Sequence, residues 1–145
     1  MRVYFDASVI IAALLSPTGG SALLLEYAKR GKISVITSQT AIDEILDKTD
    51  KLNKSIRQIN YFIAESGLII RESITQKEIE PYKNQVDIKD AHLIAGANLT
   101  RSTYLVTLDK KHLLREDIQN KFLPLRIVSP KELLPKVLII SNNHN

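Results

Sequence analysis

Short apolar runs alternate along the chain with longer segments whose apolar positions recur at helical spacing. The short runs are rich in β-branched and aromatic residues and do not alternate strictly with polar ones. Runs of this kind are typical of strands buried on both faces of a sheet. They lie at Arg2–Phe5, Ile33–Ile36, Leu68–Ile70, Tyr104–Thr107 and Leu125–Val128. The alternation predicts βαβ units, and hence an α/β fold in three layers with a short, central, mainly parallel sheet flanked by helices.

The helical segments are marked by their ends as well as by their periodicity. Gly31 suits a left-handed helix end, Ser38 suits a helix cap, and Ser129 followed by Pro130 suits a helix start. The predicted helices span residues 9–15, 21–30, 38–47, 54–65, 75–80, 87–99, 110–114 and 130–134. No linker, repeat or low-complexity tract is visible, so one domain is predicted over residues 1–136, followed by a frayed tail over 137–145.

The amino-acid composition limits the kinds of catalytic and metal-binding groups that the chain can offer. The chain has 145 residues, of which 44% are hydrophobic and 25% charged, a balance typical of a globular domain. It contains no cysteine, which excludes disulfides, thiolate metal sites and a cysteine nucleophile. Its three histidines are scattered along the chain. Any bound metal is therefore expected to be a hard cation held by carboxylate oxygens.

The charge and the start of the chain bear on partners and location. A net charge of +4 and a pI near 9.3 are compatible with a nucleic-acid partner and equally with a solvated lysine surface. No apolar run approaches the ~20 residues needed to cross a bilayer. Asp6 comes too early for a signal peptide. A cytoplasmic protein without a membrane partner is expected.

Acidic residues are placed where strands end. Asp6 directly follows the first predicted strand, and Asp109 lies two residues beyond the strand that ends at Thr107. Asp90 is near the start of a predicted helix, and Glu44 lies in the helix after the second strand. The carboxyl ends of parallel strands meet at one edge of a sheet, so these four carboxylates are expected to converge there.

A convergence of like charges is stable only around a cation, and Mg²⁺ or Mn²⁺ is the natural choice here. Each acid taken alone has another explanation. Asp6, Asp90 and Asp109 are each positioned to cap a helix, and Glu44 is positioned to be a solvated helix residue.

The combination of these motifs, in this order, resembles a PIN domain, the ribonuclease fold of VapC-type toxins and of many RNA-processing nucleases. The resemblance extends over about Val3 to Leu134. It is carried by Asp6-Ala7-Ser8-Val9-Ile10-Ile11, by Glu44, by Asp90-Ala91-x-x-Ile94-Ala95 and by Leu105-Val106-Thr107-Leu108-Asp109. It implies a Mg²⁺- or Mn²⁺-dependent endoribonuclease that leaves a 5′-phosphate and a 3′-hydroxyl.

The resemblance also implies roles for individual residues. Asp6, Glu44, Asp90 and Asp109 match the four acids that hold one or two metal ions and serve catalysis. Ser8 matches a small polar residue that supports the first aspartate, and Thr107 a hydroxyl that bonds within the acidic cluster. Asp87 stands where some members carry an extra acid.

The segment after Asp109 departs from the family pattern. Lys110 and Lys111 stand where many members have an acidic or amide residue, which argues against a firmly held second metal. These lysines and Arg115 are candidate RNA-phosphate contacts, with a solvated face as the alternative. His112 occupies a position that is usually apolar in the family, and we expect it to be a partly buried structural histidine.

The sequence is compatible with more than one function and with several partners. The alternative to a nuclease is a PIN-like module that binds RNA or protein with little or no cleavage. A toxin would have an antitoxin that blocks the acidic groove. The apolar stripe Ile56, Ile59, Phe62 and Ile63 is expected to be mainly core, with a homodimer or higher symmetric oligomer as its other use.

Overall fold

The computed structural model describes residues 1–143, in which five parallel strands form one sheet. The order across the sheet is β3-β2-β1-β4-β5. The strands are β1 (Arg2–Phe5), β2 (Ser34–Ser38), β3 (Ile69–Arg71), β4 (Tyr104–Val106) and β5 (Arg126–Val128). The predicted α/β class and parallel sheet are therefore confirmed.

Helices cover both faces of this sheet, as predicted. They are α1 (Ala7–Leu15), α2 (Gly20–Lys29), α3 (Gln39–Leu46), α4 (Thr49–Leu52), α5 (Ile56–Glu65), α6 (Gln76–Ile79), α7 (Ala91–Leu99), α8 (Glu116–Lys121) and α9 (Pro130–Asn143), with a 3₁₀ turn at Glu80–Tyr82. Val3 and Phe5 belong to the core cluster on one face of β1, and Tyr4 to the cluster on the other. Burial on both faces explains why the strand sequences show no polar alternation.

The connection from β3 to β4 reverses the direction in which the sheet grows. Strands β1, β2 and β3 are added in one direction, whereas β4 pairs with the opposite side of β1. Phe5 and Val106 are register partners at the carboxyl ends of β1 and β4. This reversal is a topological switch point, where open α/β sheets form their ligand crevice. Residues that follow Phe5 and Val106 are thus brought to one place.

Several predicted helix ends differ from the structure. The helix predicted from residue 87 begins only at Ala91, because the Asp87 side chain accepts the Lys89 N–H at 2.9 Å and holds the preceding residues in a turn. The predicted helix over 110–114 is a series of turns, and the Leu114 N–H bonds to the Asp109 carbonyl, five residues back. Helix α8 was not predicted.

The last helix is longer than predicted. A capping box between Ser129 and Glu132 opens it, and it continues past Pro135 to Asn143 instead of ending at Leu134. The predicted tail is consequently helical over 137–143, and residues 144 and 145 lie outside the described part. The proline costs a helical hydrogen bond, and the complete burial of Val137 in the core favours continuation.

The apolar stripe on α5 divides between core and surface. Ile59 and Ile63 are buried in the core, which confirms the core interpretation for these two residues. Phe62 is partly buried against the same core, whereas Ile56 is exposed. No single helix within residues 1–143 is long and apolar enough to span a membrane; α1 and α2 together reach that length and composition but meet at a bend of 97°.

Candidate active site

Asp6 lies at the switch point and is held by two hydroxyl groups. It directly precedes α1, yet its side chain makes no capping bond to that helix. Its Oδ2 atom instead accepts hydrogen bonds from Thr107 Oγ1 at 2.7 Å and from Ser8 Oγ at 3.0 Å. Its backbone N–H donates to the Val106 carbonyl at 3.0 Å. The carboxylate is therefore positioned across the β1–β4 pair, with Ser8 and Thr107 as its hydrogen-bond donors.

The hydroxyl of Thr107 links two of the acidic residues. Thr107 is fully buried, and its Oγ1 atom accepts the backbone N–H of Asp109 at 3.1 Å while donating to Asp6. The Ser8 hydroxyl similarly accepts the Leu108 N–H at 3.3 Å. These bonds fix the turn after β4 to the turn after β1. Thr107 therefore ties the backbone of Asp109 to the carboxylate of Asp6.

Asp109 is partly used as a local cap. Its Oδ1 atom accepts the His112 N–H at 3.1 Å, although turns rather than a helix follow. The ring nitrogen Nδ1 of His112 lies 3.3 Å from Oδ1 and 3.2 Å from Oδ2. The side chain of Asp109 is 26% exposed and that of His112 is 53% exposed. Both groups consequently face the open side of the cluster.

Asp90 is strongly affected by its surroundings. It precedes α7 and makes no capping bond with its side chain. Burial, followed by the nearby charges of Asp109, Asp6 and Asp87, raises the pKa of Asp90 to about 6, against an opposing effect of His112. Burial and repulsion from these carboxylates both disfavour a negative charge at Asp90. A cation bound there would relieve that repulsion.

Glu44 bonds to a histidine. Its Oε1 atom lies 2.8 Å from Nε2 of His92, a residue of α7 whose side chain is only 8% exposed. The other ring nitrogen, Nδ1, is buried and has no hydrogen-bond partner within residues 1–143. The geometry therefore assigns the donated proton to Nε2. Glu44 and Asp90 line the same open groove.

The sequence model of the PIN domain family matches residues 2–111, about three quarters of the chain. The chain belongs to the PIN domain family. The matched residues include Asp6, Glu44, Asp90 and Asp109 and end before Arg115.

Solved structures agree with this PIN fold. PAE2754 from Pyrobaculum aerophilum superposes with a TM-score of 0.60 at 17% identity, covering 96% of this chain and 90% of that one. VapBC2 from Rickettsia felis, bound to a DNA fragment from its promoter, gives 0.61 at 15% identity, with 89% and 98% covered. The search of curated proteins found no match. At these identities the superpositions establish the fold alone.

The PIN domain brings together a set of residues that differs in part from the predicted one. The potential ligand atoms of Asp90, Asp109 and His112 all lie within 4.8 Å of one another. Asp6 joins them through Thr107 and through its charge, whereas Glu44 is engaged by His92. The expectation of a partly buried structural His112 is wrong, because the ring is exposed beside Asp109. The Asp-x-x-His spacing is the sequence signal for that contact.

The other predicted residues lie outside this group. Asp87 is exposed and is used in the turn before α7. Lys110 and Lys111 are exposed and form no ion pair within residues 1–143. Arg115 donates to both carboxylate oxygens of Asp117, at 3.1 and 2.7 Å. Its guanidinium is therefore less available to a phosphate than the two lysine ammonium groups.

Proposed function

We propose that this PIN domain is a Mg²⁺- or Mn²⁺-dependent endoribonuclease and the toxin of a toxin–antitoxin pair. The observation that supports it best is the grouping of Asp6, Asp90 and Asp109 at the switch point, with the Asp90 pKa raised by burial and then by its acidic neighbours. A purely structural role gives no reason to crowd three carboxylates at a crevice. Phosphodiester hydrolysis needs such a cation site.

The residues present fit a hard divalent cation. Asp6 Oδ2 is held by two hydroxyl donors, and its Oδ1 accepts no hydrogen bond within residues 1–143. Asp90 makes no side-chain capping bond. Carboxylate oxygens are the ligands that Mg²⁺ and Mn²⁺ prefer. Asp6, Asp90 and Asp109 would hold the cation, and Glu44 would add Oε2 while His92 holds Oε1.

The cation and the protein side chains would have different roles in the hydrolysis. A bound divalent cation would act as a Lewis acid, making water more acidic and offsetting charge on the scissile phosphate. The water oxygen forms a bond to phosphorus as the bond to the 3′-oxygen breaks, leaving a 5′-phosphate and a 3′-hydroxyl. Asp109 orients the attacking water, and Ser8 and Thr107 keep Asp6 in place.

The RNA backbone is proposed to pass over the basic side of the site. Lys110 and Lys111 directly follow Asp109 and are exposed. Lys110 also lines a groove together with Leu108 and Lys131. Ammonium groups near a cation site attract a polyanion and help to position its phosphates. Arg115 is a weaker candidate because Asp117 already neutralises it.

Two protein partners follow from this proposal. The fold is similar to that of VapBC2, whose name denotes a complex of two proteins. This similarity supports an antitoxin partner that blocks the acidic groove with a basic side chain. The exposed apolar side chains of Ile56 and Tyr61 on α5 support a symmetric homodimer. Light scattering at micromolar concentration tests the dimer, and a strictly monomeric mass would contradict it.

The nuclease is tested by incubating the purified chain with a panel of tRNA and rRNA in Mn²⁺ or in EDTA. Cleavage is expected in Mn²⁺ only, with 5′-phosphate ends. Asp6→Asn should abolish it, while the exposed surface variant Asp50→Asn should not. RNA binding without cleavage under all these conditions would refute the enzyme and favour the binding module.

A further inference from the structure

We propose that His112 is a nitrogen ligand of the divalent cation and that it makes this site prefer Mn²⁺ over Mg²⁺. The proposal rests on the metal centre described above and adds to it a ligand that is not a carboxylate. It concerns a position at which the sequence resemblance indicated no functional side chain.

The potential ligand atoms of this cluster lie close enough together to be brought to one cation. For metal–ligand bonds of ~2.1 Å, adjacent ligand atoms are ~3.0 Å apart and opposite ones ~4.2 Å. His112 Nδ1 lies 3.2 and 3.3 Å from the two oxygens of Asp109, close to the adjacent separation. The ligand atoms of Asp90, Asp109 and His112 all lie within 4.8 Å of one another. Small side-chain rotations would bring all three to one ion.

The local backbone explains why the ring is in this position. The His112 N–H donates to Asp109 Oδ1 at 3.1 Å, which fixes the two residues on the same side of the turn. Asp109 is in turn held to Thr107 at 3.1 Å. The ring is more than half exposed, so core packing does not account for its placement. Its polar contact within the described residues is the carboxylate of Asp109, a proposed ligand.

A nitrogen ligand changes the choice of metal. Mg²⁺ favours oxygen ligands, whereas imidazole binds transition metals well. Loss of the imidazole should therefore weaken Mn²⁺ binding more than Mg²⁺ binding. We expect His112→Ala to raise the Kd for Mn²⁺ by roughly tenfold and the Kd for Mg²⁺ by less than about threefold. The tenfold value is the lower end of the affinity loss seen when a group that supports a metal ligand is removed.

The direct test is pulsed electron paramagnetic resonance on the full chain loaded with Mn²⁺, which detects coupling from a directly bound ¹⁴N nucleus. The wild type and an Asn120→Ala control, altered at an exposed position away from the cluster, should both show this coupling. His112→Ala should bind Mn²⁺ without it. Titration calorimetry with Mn²⁺ and with Mg²⁺ measures the two affinities for each protein.

The possible outcomes separate this inference from the proposed function. Mn²⁺ bound to the wild type without ¹⁴N coupling, or coupling that persists in His112→Ala, would overturn the role of His112 and leave the carboxylate centre standing. Equal losses of Mn²⁺ and Mg²⁺ affinity would overturn the preference. Failure of the wild type to bind either cation would overturn both proposals.

Discussion

Replacing Asp90 by asparagine should stabilise the metal-free protein at neutral pH and destroy its response to Mn²⁺. The raised pKa means that the ionised carboxylate is disfavoured in the folded state, by burial first and then by its acidic neighbours. Asparagine has nearly the same shape and removes the charge. No capping bond is lost, because the Asp90 side chain makes none.

The size of the effect follows from the pKa. A rise from 3.8 to about 6 corresponds to ~3 kcal/mol of unfavourable interaction at full strength. Asp90 is only partly buried, and solvent screening at such a position reduces the effect, so about 1–2 kcal/mol is expected. For a chain of this size, that gain raises Tm by about 3–8 °C.

The pH dependence has a definite sign. As pH falls through about 6, the folded wild type takes up a proton at Asp90 that the unfolded chain takes up only near 3.8. The wild type therefore gains stability between pH 6 and pH 4. The advantage of Asp90→Asn should be complete above pH 7 and should vanish near pH 4.

Thermal unfolding in EDTA and in Mn²⁺, from pH 4 to pH 8, measures all of this. Mn²⁺ at 100 times its Kd should stabilise the wild type by ~2.7 kcal/mol and leave Asp90→Asn unchanged. Asp50→Asn, at an exposed position on α4, is the matched control and should follow the wild type. A lower Tm for Asp90→Asn in EDTA at pH 8 would refute the electrostatic reasoning.

Three further changes test separate parts of the account. Asp109→Asn should change the free energy of unfolding by no more than about 1 kcal/mol, because asparagine caps as well as aspartate. It should nevertheless lower the rate of RNA cleavage by at least ~10-fold. An unchanged single-turnover cleavage rate would show that Asp109 is not part of the site. The double variant Lys110→Ala/Lys111→Ala should reduce the steepness with which the log of the binding constant for single-stranded RNA falls with log salt concentration, by ~1.4. A slope equal to that of the parent protein would show that neither lysine contacts RNA phosphates. Gly96→Ala should destabilise the fold by about 1–3 kcal/mol in urea unfolding, because the added methyl group would overlap the Tyr4 hydroxyl. Alanine in an open helix would instead increase stability, and such a gain would contradict the packing described.

The fold was predictable because its signals are local and repeated. The five apolar runs, the Ser38 cap and the Gly31 helix end each follow from a few neighbouring residues, and the structure confirms them. The end of α9 was not predictable in this way. It depends on burial of Val137 against distant helices, and Pro135 in the same segment indicates a helix end.

The site was predictable where the chain itself places a residue at a strand end. Asp6 and Asp109 follow β1 and β4, as their spacing predicts. Thr107 links them, a contact that the family resemblance implies. The partners of the remaining groups depend on side-chain packing between helices. The bond from His92 to Glu44 joins α7 to α3, and no local pattern in either helix indicates it.

Anomalous diffraction at the manganese edge, from crystals grown with Mn²⁺, shows directly whether a cation binds at the carboxyl ends of β1 and β4. We expect a strong anomalous peak within ~2.1–2.3 Å of carboxylate oxygens of Asp6, Asp90 and Asp109. Crystals of Asp6→Asn should lose most of that peak. Full occupancy elsewhere on the molecule, or no peak at the carboxyl edge of β1 and β4 at millimolar Mn²⁺, would contradict a cation site at the switch point.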